Sequence, residues 1–177
     1  MGRFLQRVSG ACRLDPRAYE DVEADLGATA QAVTVVAVVS VATGIGLLDA
    51  QAPSLGSLLT GTLSGFAAWV AWAVLTHVIG TQLLPEPATR ADLGQLLRTL
   101  AFASAPGVIQ AAGVVPALRL PAFAAGSIWM IAAMVVAVRQ ALDYSSTARA
   151  IGVCVVGWAL VFALTAGLSI AFAPRVS

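Results

Sequence analysis

Five stretches free of Asp, Glu, Lys and Arg, 28–48, 58–80, 99–118, 122–138 and 150–172, constrain this chain more than anything else in it. A helix needs about 20 apolar residues to cross the hydrocarbon core of a bilayer. There every backbone N–H and C=O must be satisfied inside the protein, which restricts spanning segments to helices or closed barrels. Runs of this length read as helices, and five of them use well over half of the 177 residues. Composition agrees: 59% of residues are hydrophobic and 11% charged, against about 25% charged in a soluble domain. With a net charge of only +1, these values exclude a water-soluble globular enzyme, a disordered chain and a nucleic-acid binder. The expected fold class is an all-α integral membrane protein. It is a single bundle of five transmembrane helices over 28–172, with a short amphipathic cytoplasmic segment at 1–27 and an outer tail at 173–177.

Residues 1–27 hold Arg3, Arg7, Arg13, Asp15, Arg17, Glu20, Asp21, Glu23 and Asp25, nearly half of all the charges. Within them Met1, Phe4, Leu5, Val8 and Cys12 recur at helical spacing, with Arg3 and Arg7 off the stripe. Such a pattern either lies on an anionic membrane surface or frays as a terminus. Asp15-Pro16 supplies an N-cap followed by proline at the first helical position. Tyr19, Val22 and Leu26 line the next helix, and Gly27 is placed to end it.

The run 28–48 is longer than the roughly 7–15 residues of a signal-peptide core, so Ala50-Gln51-Ala52 is not read as a cleavage site and the span is retained. The second run carries Gly61 and Gly65 four residues apart, followed by Ala68. Small residues at that spacing let helices approach closely, so these three are the expected helix-packing residues. Packing within the chain is favoured over packing between copies, with a homo-oligomer left open. The third run contains Pro106, Gly107, Gly113 and Pro116 and should be kinked or broken, with a re-entrant path as the alternative to a crossing. Ahead of it, Thr89-Arg90-Ala91-Asp92 reads as a capping box for a short helix through Leu93, Leu96 and Leu97, expected to lie in the membrane interface. A polar connector, Asp143-Tyr144-Ser145-Ser146-Thr147, separates the last two runs.

Orientation follows from the arginines, which supply every basic residue. With the N-terminus inside, Arg3, Arg7, Arg13, Arg17, Arg90, Arg98, Arg139 and Arg149 fall on the cytoplasmic side, and only Arg119 and Arg175 outside. This is the positive-inside asymmetry. A four-span count gives the same tally, so the third crossing rests on its apolar run alone. The cytoplasmic charge is expected at Arg3, Arg7, Arg90, Arg98, Arg139 and Arg149, with Arg98 and Arg139 snorkelling from span ends to the headgroups.

Intramembrane ionisable groups mark transport or catalysis by default. Here the candidates reduce to His77, near the inner end of the second span, and the amide of Gln110 in the third. Both are expected to be hydrogen-bonded packing residues. No paired histidines with a glutamate, no nucleophile elbow and no phosphate cradle occur. Cys12 and Cys154 offer neither a disulfide framework nor a metal spacing. No catalytic, cofactor-binding or metal residue is expected.

Four groups of residues stand out together: Pro16-Arg17-Ala18-Tyr19-Glu20-Asp21-Val22 leading through Thr29-Ala30-Gln31-Ala32; His77-Val78-Ile79-Gly80; Asp92 to Arg98 followed by Leu100-Ala101-Phe102-Ala103-Ser104-Ala105-Pro106; and Arg139-Gln140-Ala141-Leu142-Asp143-Tyr144-Ser145 with Arg149-Ala150-Ile151-Gly152. In their order and spacing they resemble the Yip1 domain family of multi-pass membrane proteins, prokaryotic type. The family's usual glycine ahead of the small-residue-Ala-Pro segment is Ala101 here. The resemblance implies a five-helix bundle with a cytoplasmic N-terminus and an outward C-terminus, the orientation the arginines give independently. The expected function is a non-enzymatic scaffold or membrane-organising protein of the cell membrane. Its partners would be the lipid bilayer and other membrane or peripheral proteins, met through residues 1–27, 85–98 and 139–149. The alternative is a small transporter or channel subunit with a path beside the broken third span.

Overall fold

The computed structural model describes residues 2–48 and 55–171, with side chains for all of these except 57 and 164–171. The signal-like Ala50-Gln51-Ala52 and the outer tail fall outside the described residues. Helices α1 (Gly2–Cys12) and α2 (Pro16–Ala24) form an antiparallel hairpin. Asp15 caps α2 by accepting the Arg17 N–H at 3.0 Å, with Pro16 at the first position, as the sequence implies. Between them, Asp15 N–H reaches back to Gly10 O and Leu14 N–H to Ala11 O, both at 3.0 Å. This is a Schellman closure, in which Leu14 at φ 61° takes the place where glycine is usual. Most of the apolar stripe of α1 is spent on protein, with Phe4, Val8 and Cys12 packed on the core and Phe4 meeting Phe102 edge to face at 6.3 Å, while Leu5 stays exposed. Helix α2 ends at Ala24, and Gly27 instead opens the next helix.

Helices α3 (Ala28–Leu47), α4 (Leu55–Val78), α5 (Leu93–Ala103), α6 (Pro116–Ala141) and α7 (Thr147–Ala171) build the bundle. Three apolar segments are long enough to span a membrane: Ala28–Leu47, Leu58–Leu83 and Pro116–Ala141. At 1.5 Å per residue, a 20-residue helix covers about 30 Å, the thickness of the hydrocarbon core. Packed residue pairs give the directions. Gly44 of α3 meets Leu58 and Gly65 meets Ser40, so α4 runs antiparallel to α3. Arg98 of α5 lies level with Val22 and Glu23, Gly107 with Val39, and Gly113 with Gly46. The chain from α5 onward therefore climbs parallel to α3 along its whole length. Gly126 against Gln110 and Gln140 against Glu20 return α6 to the start. Gly152 against Leu84 and Gly157 against Trp72 set α7 antiparallel to α4. Among the described residues, the chain passes along the bundle five times.

The third pass is broken, as its prolines and glycines imply, with bounds other than 99–118. Residues 99–118 are not one kinked helix. Helix α5 stops at Ala103, and a 3-10 helix runs over Ala105–Val114 before α6 starts at Pro116. Pro106 has no N–H to continue the α ladder, and Gly107 N–H turns instead to Ser104 O at 2.8 Å. A 3-10 run of ten residues is unusually long. It is held between α3 and α6 by glycines on each element. A Cβ on Gly46 would strike the Gln110 backbone, one on Gly113 would meet Phe123 at 2.8 Å, and one on Gly126 would meet Gln110 at 2.9 Å. The capping box also shifts. Asp92, not Thr89, is the N-cap of α5, in reciprocal bonds with Gln95 of 2.9 and 2.8 Å. Nor is that helix a surface element of the protein. Leu96 and 98–103 are all buried, because the α1–α2 hairpin covers one side of α5 and α3 and α6 cover the others.

The core gathers at the hairpin end of the bundle, around Tyr19, Leu96, Phe102, Val138, Leu142 and Val153. Helix α4 is peripheral by contrast. Only 6% of the residues in its most apolar stretch are buried against protein, compared with 33% for α3. After Val78 it winds into a π-helical turn, Ile79–Leu83.

Candidate docking groove at the charged end

The hairpin is fastened by two arginines. Arg7, only 2% exposed, donates to Asp21 and Asp25 at 2.6 Å each and to Gln31 of α3 at 3.0 Å. Its guanidinium holds both carboxylates below their usual range. Arg98, 5% exposed, reaches from α5 to the carbonyls of Val22 at 3.2 Å and Glu23 at 2.6 Å. These are carbonyls of the last turn of α2, which lack intrahelical partners and carry the negative end of the helix dipole. Sequence reasoning placed both arginines on an exposed cytoplasmic face. The structure places them inside, where their charge is consumed by the fold. Arg3 stays on the surface and pairs with Asp21 at 2.8 Å.

The opposite corner is locked through the 139–149 connector. Tyr144, buried, points its hydroxyl at Gly80 O (2.9 Å), within the π turn, and at Leu84 O (2.7 Å), just after it. Glu86 accepts from the Ser145 N–H and hydroxyl and pairs with Arg149 at 3.3 Å, while Arg149 also donates to Pro85 O. The Ser145 amide and hydroxyl draw the Glu86 carboxyl below its ordinary range. Arg139 does not snorkel; it donates to Tyr144 O and Ser145 O at 3.3 Å each.

Between these two fastenings a cleft of about 510 Å³ opens, walled by α2, the start of α5 and the α6–α7 connector. Glu20, Glu23 and Asp143 line it, with Arg139 as its one guanidinium and Gln95 and Gln140 as its amides. Gln140 donates to Glu20 at 2.7 Å. Burial, and then the neighbouring Asp143 charge, push the Glu23 carboxyl up to about 7. The acidic excess suits a guanidinium or ammonium side chain presented from outside. Sequence reasoning missed these acids because it counted only arginines. The signal was Glu20 and Glu23 one helical turn apart, yet nothing local says that Asp143 joins them.

The remaining expected residues separate. Gln110 does bridge helices, accepting from Thr43 at 2.8 Å and donating to Ser127 at 3.4 Å. His77 lies at this same end of the bundle, in the last turn of α4 and one turn before Gly80. Its Nδ1 is buried with no hydrogen-bond partner among the described residues, contrary to the satisfied role expected. Gly65 does pack within the chain, since a Cβ there would run into the Ser40 hydroxyl. Gly61 does not pack: a Cβ on it would meet nothing. Gly61, Gly65 and Ala68 instead line a second, apolar cavity. Arg90 sits in the loop ahead of α5. No group of three or more metal-ligating side chains lies close together among the described residues.

No curated protein and no solved structure matches the chain. The family model for the Yip1 domain matches residues 15–168, from the cap of α2 into the last helix. Spans of membrane-crossing length and that match together make this a membrane protein, and the chain belongs to the Yip1 domain family.

Proposed function

We propose that this protein is a non-enzymatic scaffold of the cell membrane that crosses the bilayer five times, with its N-terminus in the cytoplasm and its C-terminus outside. Its groove at the hairpin end would hold a basic segment of another membrane or peripheral protein. The observation that carries the reading is the acidic groove. Glu20, Glu23 and Asp143 converge there against the single charge of Arg139, while the arginines around it are tied up internally. The five passes along the bundle and the weight of arginine at one end support the topology.

A photo-crosslinking residue at Gln95, on the groove wall, tests the partner role in native membranes. The expected result is a discrete protein adduct that disappears in the Glu20→Gln, Asp143→Asn double variant. An adduct unaffected by that variant, or none at all, overturns the docking role. Topology is tested separately in a background lacking Cys12 and Cys154. A cysteine at Ser177 should react with an impermeant thiol reagent on intact cells, and one at Ser145 only after permeabilisation. The reverse pattern overturns the five-span arrangement.

A further inference from the structure

The second cavity, about 480 Å³, lies between α3, α4 and α6 with α5 behind it. It has the size of a small-molecule site. No ionisable side chain lines it. Of its four hydroxyls, that of Thr43 is donated to Gln110 at 2.8 Å and that of Ser104 to Ala101 O at 2.6 Å, and the other two belong to Ser40 and Ser64. Water needs two to four polar partners to settle in a cavity, and these walls supply few. The occupant must be apolar.

Where the mouth opens decides its source. Gly61, Ser64 and Ala68 form an exposed strip at helical spacing on α4, inside the membrane-spanning segment Leu58–Leu83. The opening therefore faces hydrocarbon, not water. At the far end Trp69 and Trp72 are fixed by their indole N–H groups, on Leu97 O at 3.1 Å and Met134 Sδ at 3.2 Å. Met130 and Met134 form the α6 wall, and methionine adapts its shape to irregular apolar occupants. From Gly61 to Trp72 the cavity follows α4 for about 16 Å at 1.5 Å per residue, close to half the ~30 Å hydrocarbon core. A helix from a second copy is about 10–12 Å across, and two turns of one exceed this volume. An extended chain does not.

We propose that this cavity binds one acyl tail of a bilayer lipid, drawn from the leaflet at the α3–α4 loop end and terminating against Trp69 and Trp72. Gly61 is the open side of the mouth, and the lack of a bulky side chain there leaves room for the tail.

The full-length protein is reconstituted in vesicles of phosphatidylethanolamine and phosphatidylglycerol containing trace phosphatidylcholine with a diazirine near its acyl terminus. After irradiation, adducts are mapped by mass spectrometry. The expected result is labelling of Met130 or Ser104, which face the cavity, besides general labelling of lipid-facing Leu120. Gly61→Phe, whose ring fills the mouth, should abolish the interior adduct and leave that on Leu120. Gly61→Ala, which meets no neighbour, should retain both and controls for folding. Labelling confined to Leu120, or an interior adduct that persists in Gly61→Phe, overturns the proposal. So does a ready disulfide between two copies carrying Gly61→Cys, which would assign this face to a dimer.

Discussion

Arg98 offers the sharpest test of how the charged end is held together. Its side chain is nearly fully buried and joins residues 75 positions apart by two donated bonds. Replacing it with leucine keeps most of the apolar stem and removes both bonds. The carbonyls of Val22 and Glu23 are then left at the end of α2 without a donor or the compensating charge. A hydrogen bond to a charged group is worth about 1.5–3 kcal/mol, and the longer of these two belongs at the low end. A loss near 3 kcal/mol is therefore expected, which is about a hundredfold in the undocked population at 1.4 kcal/mol per tenfold. The loss should be local, because Arg7 still ties α1 to α2 and α3. Hydrogen exchange in detergent reads it directly: α2 amides should exchange about a hundredfold faster, while the α6 amides keep their protection. Arg98→Lys, with the charge but without the guanidinium fork, should fall in between. Exchange of α2 within about threefold of the unaltered protein would refute the reasoning. Equal loss across all helices would refute the local anchoring.

Glu23→Gln should stabilise hairpin docking at pH 8 and change little at pH 5. The Glu23 carboxyl is raised to about 7 in the fold, so its favourable contribution is complete below about 4.3 and is lost as pH rises through 7. The gain should stay under about 1 kcal/mol because the group is partly exposed, and α2 exchange followed against pH measures it. Asp21 and Asp25 act in the opposite direction, losing their contribution as pH falls through their lowered values. Docking should therefore be strongest in the mildly acidic range between the two. Gly46→Ala should destabilise by about 1–3 kcal/mol, since the new methyl group meets the Gln110 backbone and Phe123. Gly61→Ala should instead be neutral or gain up to about 1 kcal/mol from helix propensity. Thermal unfolding in detergent compares the two, and equal effects would sink the distinction between packed and open glycines. Tyr144→Phe should cost about 1–2 kcal/mol and raise exchange selectively in the Ile79–Leu83 turn, because its hydroxyl serves the carbonyls of Gly80 within that turn and Leu84 after it.

Sequence alone determined whatever depends on neighbours along the chain. The membrane class and the helices follow from uncharged runs of span length, since hydrocarbon forces each segment to satisfy its own backbone. The Asp15 cap and Pro16 start are likewise local chemistry, and the short pieces carrying the family likeness keep their order and spacing. The break near Pro106 was also legible, because a missing N–H interrupts a ladder wherever it stands. Its 3-10 form was not: that depends on glycines at 46, 107, 113 and 126 from three elements coming face to face. The fate of the arginines was equally hidden. Arg98 sits at the edge of an apolar run, a position equally suited to reaching lipid headgroups. Only the docked hairpin supplies the two carbonyls that draw it inward, and those come from a segment some 75 residues earlier. The groove and the cavity belong to tertiary structure for the same reason. Each is the space left between elements, and no single stretch of sequence encodes a gap.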